Sequence, residues 1–168
     1  MQIRRATTTD VPAIMRLIAK VVPLMRAADN LQWDDNYPNP SVFNTDILNQ
    51  QLWIADINGA IGGIAAITTD QSPEYADAGL DIAEPSIVTH RLAVDPGFQG
   101  RGIARKLLEK AEEIAVERGF TNLRIDTNNN NQATQALFPK MGYKFCGEIS
   151  LQFRPGLRFL CYEKRLDI

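Results

Sequence analysis

The fold is decided by residues 91–104, which read Arg-Leu-Ala-Val-Asp-Pro-Gly-Phe-Gln-Gly-Arg-Gly-Ile-Ala. The run Ser86–Val94 is rich in β-branched residues and predicts a central strand, and residues 95–97 close it as a turn. Apolar residues then recur at helical spacing from Ile103 onward, until Gly119 stands where a helix C-cap belongs. The loop therefore ends at a helix N-terminus, whose free N–H groups and nearby glycines favour binding of a phosphate.

Two common phosphate-binding motifs do not match this loop. A P-loop needs Lys followed by Ser or Thr after its glycines, and neither pair follows Gly102. A dinucleotide fingerprint needs Gly or Ala at its last position, where Arg105 stands. A glycine loop on its own more often makes only a tight turn, so the assignment depends on further motifs.

The rest of the chain predicts alternating strands and helices. Helix start signals lie at Thr9 and Asp10, and Asn58-Gly59 is typical of a tight hairpin. Residues 29–45 are rich in Pro, Asn and Asp and predict a loop. The predicted strands are Ile3–Ala6, Leu52–Ile57, Ile61–Thr68, Leu123–Thr127, Tyr143–Leu151 and Leu157–Leu166, and the further helices are Val42–Gln50 and Gln132–Met141. This order indicates a mixed α/β sheet with helices on both faces.

Composition narrows the class of protein. A chain of 168 residues with 45% hydrophobic residues fits one domain spanning residues 1–168. Its 18 basic residues against 20 acidic ones provide no basic field, so we expect no nucleic-acid partner. The longest apolar run, residues 61–67, is far shorter than the roughly 20 residues of a membrane span, and the polar N-terminus lacks a secretory signal. We therefore expect a cytoplasmic protein, without a membrane partner. Cys146 and Cys161 form no zinc or redox motif, and no metal is expected.

The loop resembles the acetyl-coenzyme A (acetyl-CoA) loop of the GNAT superfamily, Q/R-x-x-G-x-G/A, which is met by Gln99, Gly102 and Ala104. Further along the chain, the family pattern N-x-x-A-x-x-L-Y-x-K-x-G-F is matched by Asn131, Leu137, Lys140, Gly142 and Tyr143. The resemblance implies a mixed, largely antiparallel central sheet with helices on both faces. It also implies an N-acetyltransferase that uses acetyl-CoA as co-substrate.

The same resemblance implies a set of co-substrate contacts. Backbone N–H groups would hold the pyrophosphate along Gly100, Arg101, Gly102, Ile103, Ala104 and Arg105. The strand residues Leu92, Ala93 and Val94 would bind the pantetheine arm, and one N–H there would stabilise the developing oxyanion. Asn131 would contact the pantetheine or the far end of acetyl-CoA, although a helix N-cap explains it equally well.

The chain departs from the family pattern at three positions. Phe138 occupies the place of a tyrosine thought to protonate the leaving thiolate. Thr134 replaces an alanine, which has little consequence. Pro139 removes an N–H inside the short helix and should bend or shorten it.

The general base is less determined by the sequence. His90 lies two residues before Leu92, hence on the same strand face, and an imidazole suits proton removal near neutral pH. The alternative is a partly buried histidine bound to a backbone carbonyl. Glu84, at the approach to the same strand, is the second candidate. Asp34, Asp35 and Asp126 remain possible bases, although solvated or capping roles are expected for them.

An acceptor pocket is expected in the aromatic and acidic loop between the first helices. Trp33, Asp34 and Tyr37 could hold an amine through a carboxylate and aromatic faces, whereas Trp33 could equally fill the core. The leading hypothesis is acetyl transfer to a primary amine, on a small molecule or peptide, by direct attack in a ternary complex. The alternatives are a catalytically weak coenzyme A sensor, favoured only by Phe138, and a generic nucleotide-binding module. The oligomeric state is left open, a homodimer included.

Overall fold

A computed structural model describes residues 1–167, which form seven strands and four α-helices. The strands are β1 (Gln2–Arg5), β2 (Leu52–Ile57), β3 (Ala60–Thr68), β4 (Ile87–Val94), β5 (Asn122–Asn128), β6 (Lys144–Ser150) and β7 (Arg158–Arg165). The helices are α1 (Val11–Ala27), α2 (Pro40–Leu48), α3 (Ile103–Arg118) and α4 (Gln132–Lys140). No helix in this part of the chain is both long and apolar enough to cross a membrane.

All seven strands join one sheet in the order β1-β2-β3-β4-β5-β7-β6. Only β4 and β5 run parallel, and every other neighbouring pair is antiparallel. The predicted hairpin joins β2 and β3, where Asn58 and Gly59 both have positive φ, as a tight primed turn requires. The predicted fold class, a mixed and largely antiparallel sheet, is confirmed.

Helices cover both faces of the sheet, as predicted. On one face, α3 and α4 pack on a cluster that includes Leu107, Ile125 and Phe138. On the other face, α1 and α2 bury Ile14 and Phe43 against β2 and β3. The core therefore lies in two layers, with the sheet between them.

A β-bulge interrupts β4 at Arg91, whose φ is +53°. Ala93 pairs with Ile64, but His90 pairs with Ala66, so β4 contains one residue more than β3 over this length. His90 therefore shares the α1 side of the sheet with Ala66, whereas Leu92 packs into the α3 side. The prediction that His90 and Leu92 lie on the same face is wrong, because the bulge breaks the alternation of side chains.

The parallel strands β4 and β5 separate part of the way along. Their pairing begins at Ile87 with Leu123 and ends at Thr89 with Ile125. Beyond Thr89, no strand of the described chain pairs with β4 on this side. The carboxyl ends of the two strands therefore open into a cleft, the place where ligands gather on such sheets.

Two local elements differ from the predicted ones. The helix α4 continues through Pro139 and ends at Lys140, one residue before the predicted end at Met141. The stretch predicted only as polar contains a 3₁₀ helix, Pro73–Ala78, that brings Tyr75 into the core with no exposed surface. This second difference adds a residue to the site.

Candidate active site

A cavity of about 580 Å³ fills the cleft between β4 and β5. Nine of the ten predicted co-substrate contacts line it, namely Leu92, Ala93, Val94, Gly100, Gly102, Ile103, Ala104, Arg105 and Asn131, and so do Gln99 and Phe138 of the two family motifs. Arg101 is outside the lining and places its guanidinium over the ring of Phe98, 5.1 Å from the centroid. Trp33, Tyr37 and His90 also line the cavity, whereas Asp34 and Glu84 do not. The structure thus brings most of the predicted site together.

The N-terminus of α3 forms the anion-binding end of the cavity. Gly102 is the N-cap, and both Gly100 and Gly102 have positive φ, at +79° and +73°, which favours glycine. The first N–H groups of a helix have no intrahelical acceptor, and here they begin at Ile103. The helix approaches the sheet closely, because Gly63 on β3 has no side chain to separate it from Ile103.

The second half of β4 offers a free backbone edge to the cavity. One edge of this segment pairs with β3, where Gly63 faces Val94 and Ile64 faces Ala93. The other edge has separated from β5, so its backbone groups point into the cleft. An extended ligand can bind such an edge as an added strand. This geometry fits the pantetheine arm implied by the sequence.

Asn131 is the N-cap of α4, and its contact with the co-substrate stays a prediction. Its side-chain oxygen accepts a hydrogen bond of 3.2 Å from the backbone N–H of Thr134 and so caps α4. The same residue lines the cavity. Because the cap uses only the oxygen, the amide nitrogen can still donate to a ligand.

Phe138 lines the cavity with a ring that is 1% exposed. It packs against Tyr143 and Tyr162, with ring centroids 5.9 and 5.3 Å away. Burial raises the pKa of both phenols, and neither residue is among the described residues that line the cavity. The two tyrosines therefore support Phe138 from behind and present no hydroxyl to a leaving thiolate.

His90 is half-buried at the cavity, on the side away from α3. Its Nε2 lies 2.8 Å from the backbone oxygen of Asp70, and since a carbonyl only accepts, Nε2 donates. Neutral His90 then keeps Nδ1 free of a proton, as an acceptor. His90 is therefore bound to a backbone carbonyl, as the alternative interpretation predicts. Its Nδ1 is still available for proton transfer at the cavity.

Glu84 is not brought to the cavity. Both of its carboxylate oxygens accept hydrogen bonds from Arg165, at 2.6 and 2.8 Å, and Arg124 lies 3.7 Å away. The hydrogen bonds from Arg165 lower the pKa of this carboxyl. Glu84 precedes β4 at the end opposite the cleft, and we drop it as a candidate base.

The predicted acceptor residues have divided roles. Trp33 is 4% exposed and fills the α1 side of the core; it also lines the cavity, and its contact with an acceptor stays a prediction. The hydroxyl of Tyr37 accepts a hydrogen bond of 3.3 Å from Arg91. Asp34 instead accepts backbone hydrogen bonds within its own loop and pairs with Arg154 at 3.2 Å, which together lower its pKa. Asp34 therefore orders the loop rather than facing an acceptor.

Sequence reasoning undervalued one pair of residues. Asp126 on β5 lines the cavity, and the buried hydroxyl of Tyr75 donates to its Oδ2 at 2.5 Å. Burial raises the pKa of Asp126, while this hydrogen bond and the nearby His90 oppose the rise. No pattern links a tyrosine in a polar stretch to an aspartate 51 residues later. The alternation along β5 was the one available signal, since it sets Asp126 on the face opposite Ile125.

Comparison with known proteins gives the same family. The model of the Acetyltransferase (GNAT) family matches residues 22–143. A GNAT family acetyltransferase from Streptococcus agalactiae has a TM-score of 0.83 and 28% identity, covering 99% of this chain and 96% of that one. The putative acetyltransferase yncA from Salmonella typhimurium, solved with its cofactor acetyl-CoA, has a TM-score of 0.72 and 20% identity, covering 100% and 95%.

Curated relatives match over shorter stretches. A streptothricin acetyltransferase from Streptomyces lavendulae is 38% identical over 75 residues, which are 42% of this chain and 40% of that protein. An N-acetylaspartate synthetase from Xenopus tropicalis is 23% identical over 113 residues, covering 67% of this chain and 38% of that protein. The matches thus span about two fifths of these relatives. Because the family model covers most of the sequence, the chain belongs to the Acetyltransferase (GNAT) family.

Proposed function

We propose that this chain transfers an acetyl group from acetyl-CoA to the primary amine of an acceptor, by direct attack in a ternary complex. One observation carries the proposal: the cavity joins a helix N-terminus, a free β4 edge and a pocket containing His90 and Asp126. The relative yncA was solved with acetyl-CoA, which supports the same co-substrate here. Donor and acceptor would share this one cavity.

Backbone groups would hold the donor. The N–H groups from Gly100 to Arg105 would bind the pyrophosphate at the positive end of α3. The free edge of β4 at residues 92–94 would bind the pantetheine arm and aim an N–H at the thioester oxygen. Because these donors are fixed by the fold, they can stabilise the oxyanion without reorganising.

His90 is the proposed base. Its Nδ1 would accept the proton that leaves the acceptor nitrogen, while Nε2 stays bound to the carbonyl of Asp70. The C–N bond forms as the C–S bond breaks, and the thiolate leaves without a tyrosine donor beside Phe138. Cys161 is buried and Cys146 lies on β6, and neither lines the cavity, which supports direct attack rather than an acyl-cysteine.

A coenzyme A sensor without turnover is the second candidate, and it is supported by the phenylalanine at position 138. Thiol release from acetyl-CoA across a panel of primary amines separates the two. The proposed enzyme releases thiol with at least one amine, and coenzyme A raises its melting temperature. Stabilisation without release for every amine would favour the sensor. If the protein shows neither thiol release nor stabilisation by coenzyme A, both proposals are contradicted.

A further inference from the structure

The cavity contains a single carboxylate, that of Asp126, among the described residues that line it. Two other carboxylates lie close by and are neutralised: Asp46 by Arg91 at 2.7 Å, and Asp34 by Arg154 at 3.2 Å. Asp126 has no cationic side chain within 4 Å in the described part of the chain. The cavity thus has one carboxylate whose charge is not already paired.

Tyr75 holds this carboxylate in one orientation. Its hydroxyl donates to Oδ2, and Tyr75 itself is fixed by complete burial among Val88, Ile149 and Phe159. Oδ1 accepts no hydrogen bond from residues 1–167. It is also not completely enclosed by protein atoms. Since Asp126 lines the cavity, Oδ1 is reachable from it and free to bind a ligand.

The groups around Asp126 favour a cationic ligand. Burial disfavours the charged carboxylate and raises its pKa, so a bound cation would relieve a cost that the protein alone does not offset. His90 faces it from β4, and Cys161, opposite on β7, is a thiol whose pKa burial raises. Arg91 also lines the cavity, but two nitrogens of its guanidinium are bound to Asp46.

The walls beside this carboxylate are largely apolar. Trp33, Tyr37, Leu151 and Phe153 line the same cavity as Asp126, Leu151 packs in the cluster that buries Tyr75, and the rings of Tyr37 and Phe153 meet edge to face at 5.8 Å. Aromatic faces attract an ammonium group and also pack against a hydrocarbon body. A ligand that suits both features has a primary ammonium and an apolar part.

We propose that the Tyr75–Asp126 pair is the ammonium-binding site for the acceptor, which enters as a primary ammonium ion on an apolar body. This inference rests on the proposed function, because it names the acceptor class for the same cavity. Oδ1 of Asp126 binds the ammonium, and Tyr75 keeps that oxygen directed at the cavity. His90 takes one proton from the bound ammonium, which frees the amine for attack. The second proton leaves the nitrogen once the C–N bond has formed and goes through solvent to the departing thiolate.

The test is calorimetric titration with phenethylammonium chloride, and with 2-phenylethanol as a neutral ligand of the same shape. Primary alkylamines are cations at pH 7, as lysine is, with a pKa near about 10.4. We expect the wild-type protein to bind phenethylammonium at least about tenfold more tightly than the alcohol, because the charge adds to the shared apolar contact. Asp126→Asn keeps the shape and should abolish this preference, while Asp77→Asn removes an exposed charge from the 3₁₀ helix that carries Tyr75 and should preserve it.

Tyr75→Phe provides a second variant that leaves the charge in place. It should reduce the preference for the cation by less than Asp126→Asn does, because it frees the carboxylate without removing it. Equal binding of the two ligands by the wild type, no binding of phenethylammonium, or an unchanged preference in Asp126→Asn would each overturn the inference. The titration is made on the free protein and again with saturating coenzyme A. If coenzyme A does not bind and no amine gives thiol release, the proposed function is contradicted. The titration on the free protein still tests the ammonium site by itself.

Discussion

The guanidinium of Arg91 holds both carboxylate oxygens of Asp46 at 2.7 Å. Arg91 is the residue that gives β4 its bulge, and Asp46 lies on α2 with 7% of its side chain exposed. A third guanidinium nitrogen donates to the hydroxyl of Tyr37, which lines the cavity. The pair therefore links the strand that carries His90 to the helix and loop beside the proposed acceptor site.

Asp46→Ala should destabilise the fold and lower activity together. It leaves a mostly buried guanidinium without its partner, which costs up to about 3 kcal/mol in the free energy of unfolding. Urea unfolding measures this loss. In the double variant Arg91→Met with Asp46→Leu the unpaired charge is gone, so stability should recover while kcat/KM stays low. A double variant with wild-type kcat/KM would show that the pair has no part in shaping the acceptor end.

The fold could be predicted because its signals are local. Asn58-Gly59 marks the hairpin, and the spacing of apolar residues after Ile103 predicts α3 to its C-terminal glycine. The bulge at Arg91 could not be predicted in this way, because no local residue pattern marks it, and the partner of Arg91 at the bulge is Asp46, 45 residues earlier in the sequence. One extra residue in a strand moves every later side chain to the opposite face of the sheet. For this reason His90 and Leu92, two residues apart, lie on opposite faces.

The two halves of the proposed site differ in how far local sequence predicts them. The donor half depends on backbone groups near Gly102, and a loop motif specifies backbone conformation directly. The acceptor half depends on side chains from separate elements, such as Tyr75, Asp126 and Trp33, that meet only in the folded sheet. Sequence patterns name the residue types there, but they do not show which of them meet.

Gly102→Ala should abolish stabilisation by coenzyme A, whereas Gly119→Ala should not. Both glycines have nearly the same φ, +73° and +76°, and neither has an atom within 4 Å of an added Cβ. The strain of a positive φ is thus matched at the two ends of α3, at roughly 1 kcal/mol each. Only Gly102 lies where the pyrophosphate would approach. Thermal unfolding with and without coenzyme A measures the difference.

Wild-type protein should gain about 2.7 kcal/mol at a hundredfold excess of coenzyme A over its dissociation constant, and ATP should give no comparable gain. Equal coenzyme A stabilisation in both glycine variants would move the pyrophosphate site away from α3.

Gly63→Ala should displace the start of α3. The new Cβ would lie 2.5 Å from Cγ2 of Ile103 and 3.0 Å from the carbonyl oxygen of Ala93. Overpacking of this kind costs about 1–3 kcal/mol, and the shift should also weaken acetyl-CoA binding, because the helix N-terminus moves. Ile103→Leu removes the β-branch that carries Cγ2 while keeping the side-chain volume, and it should restore much of both losses in the double variant. Weak acetyl-CoA binding that persists after stability is restored would contradict this coupling.

Phe138→Tyr should raise the maximal rate less than about tenfold. A thiolate with a pKa near about 8.5 can leave without a proton donor, so the family's tyrosine is not required. Tyr143→Phe and Tyr162→Phe should have smaller effects, since both rings lie behind Phe138. Steady-state rates with saturating acetyl-CoA provide the measurement. A hundredfold gain in the first variant, or a hundredfold loss in either of the others, would show that protonation limits turnover.

Asp126→Asn should make the protein more stable at neutral pH while it weakens binding of the ammonium probe to the level of the neutral alcohol. Burial raises the pKa of Asp126 in the folded state, so folding is penalised once the pH exceeds the pKa that the group has when unfolded, about 3.9. The penalty grows until the pH passes the raised folded pKa, and it is constant above that. Below about pH 3.9 the carboxyl is protonated in both states, and the variant should lose its advantage.

Melting temperatures of the wild type, Asp126→Asn and Asp77→Asn from pH 7 down to pH 3 test this dependence. The difference between Asp126→Asn and the wild type should shrink as the pH falls, whereas the exposed Asp77 should give a small and nearly constant difference. Phenethylammonium should raise the melting temperature of the wild type and of Asp77→Asn more than that of Asp126→Asn, because it supplies the missing positive charge to Asp126. If Asp126→Asn is instead less stable at pH 7, the carboxylate is stabilised by its surroundings, and a bound cation is not needed to explain it.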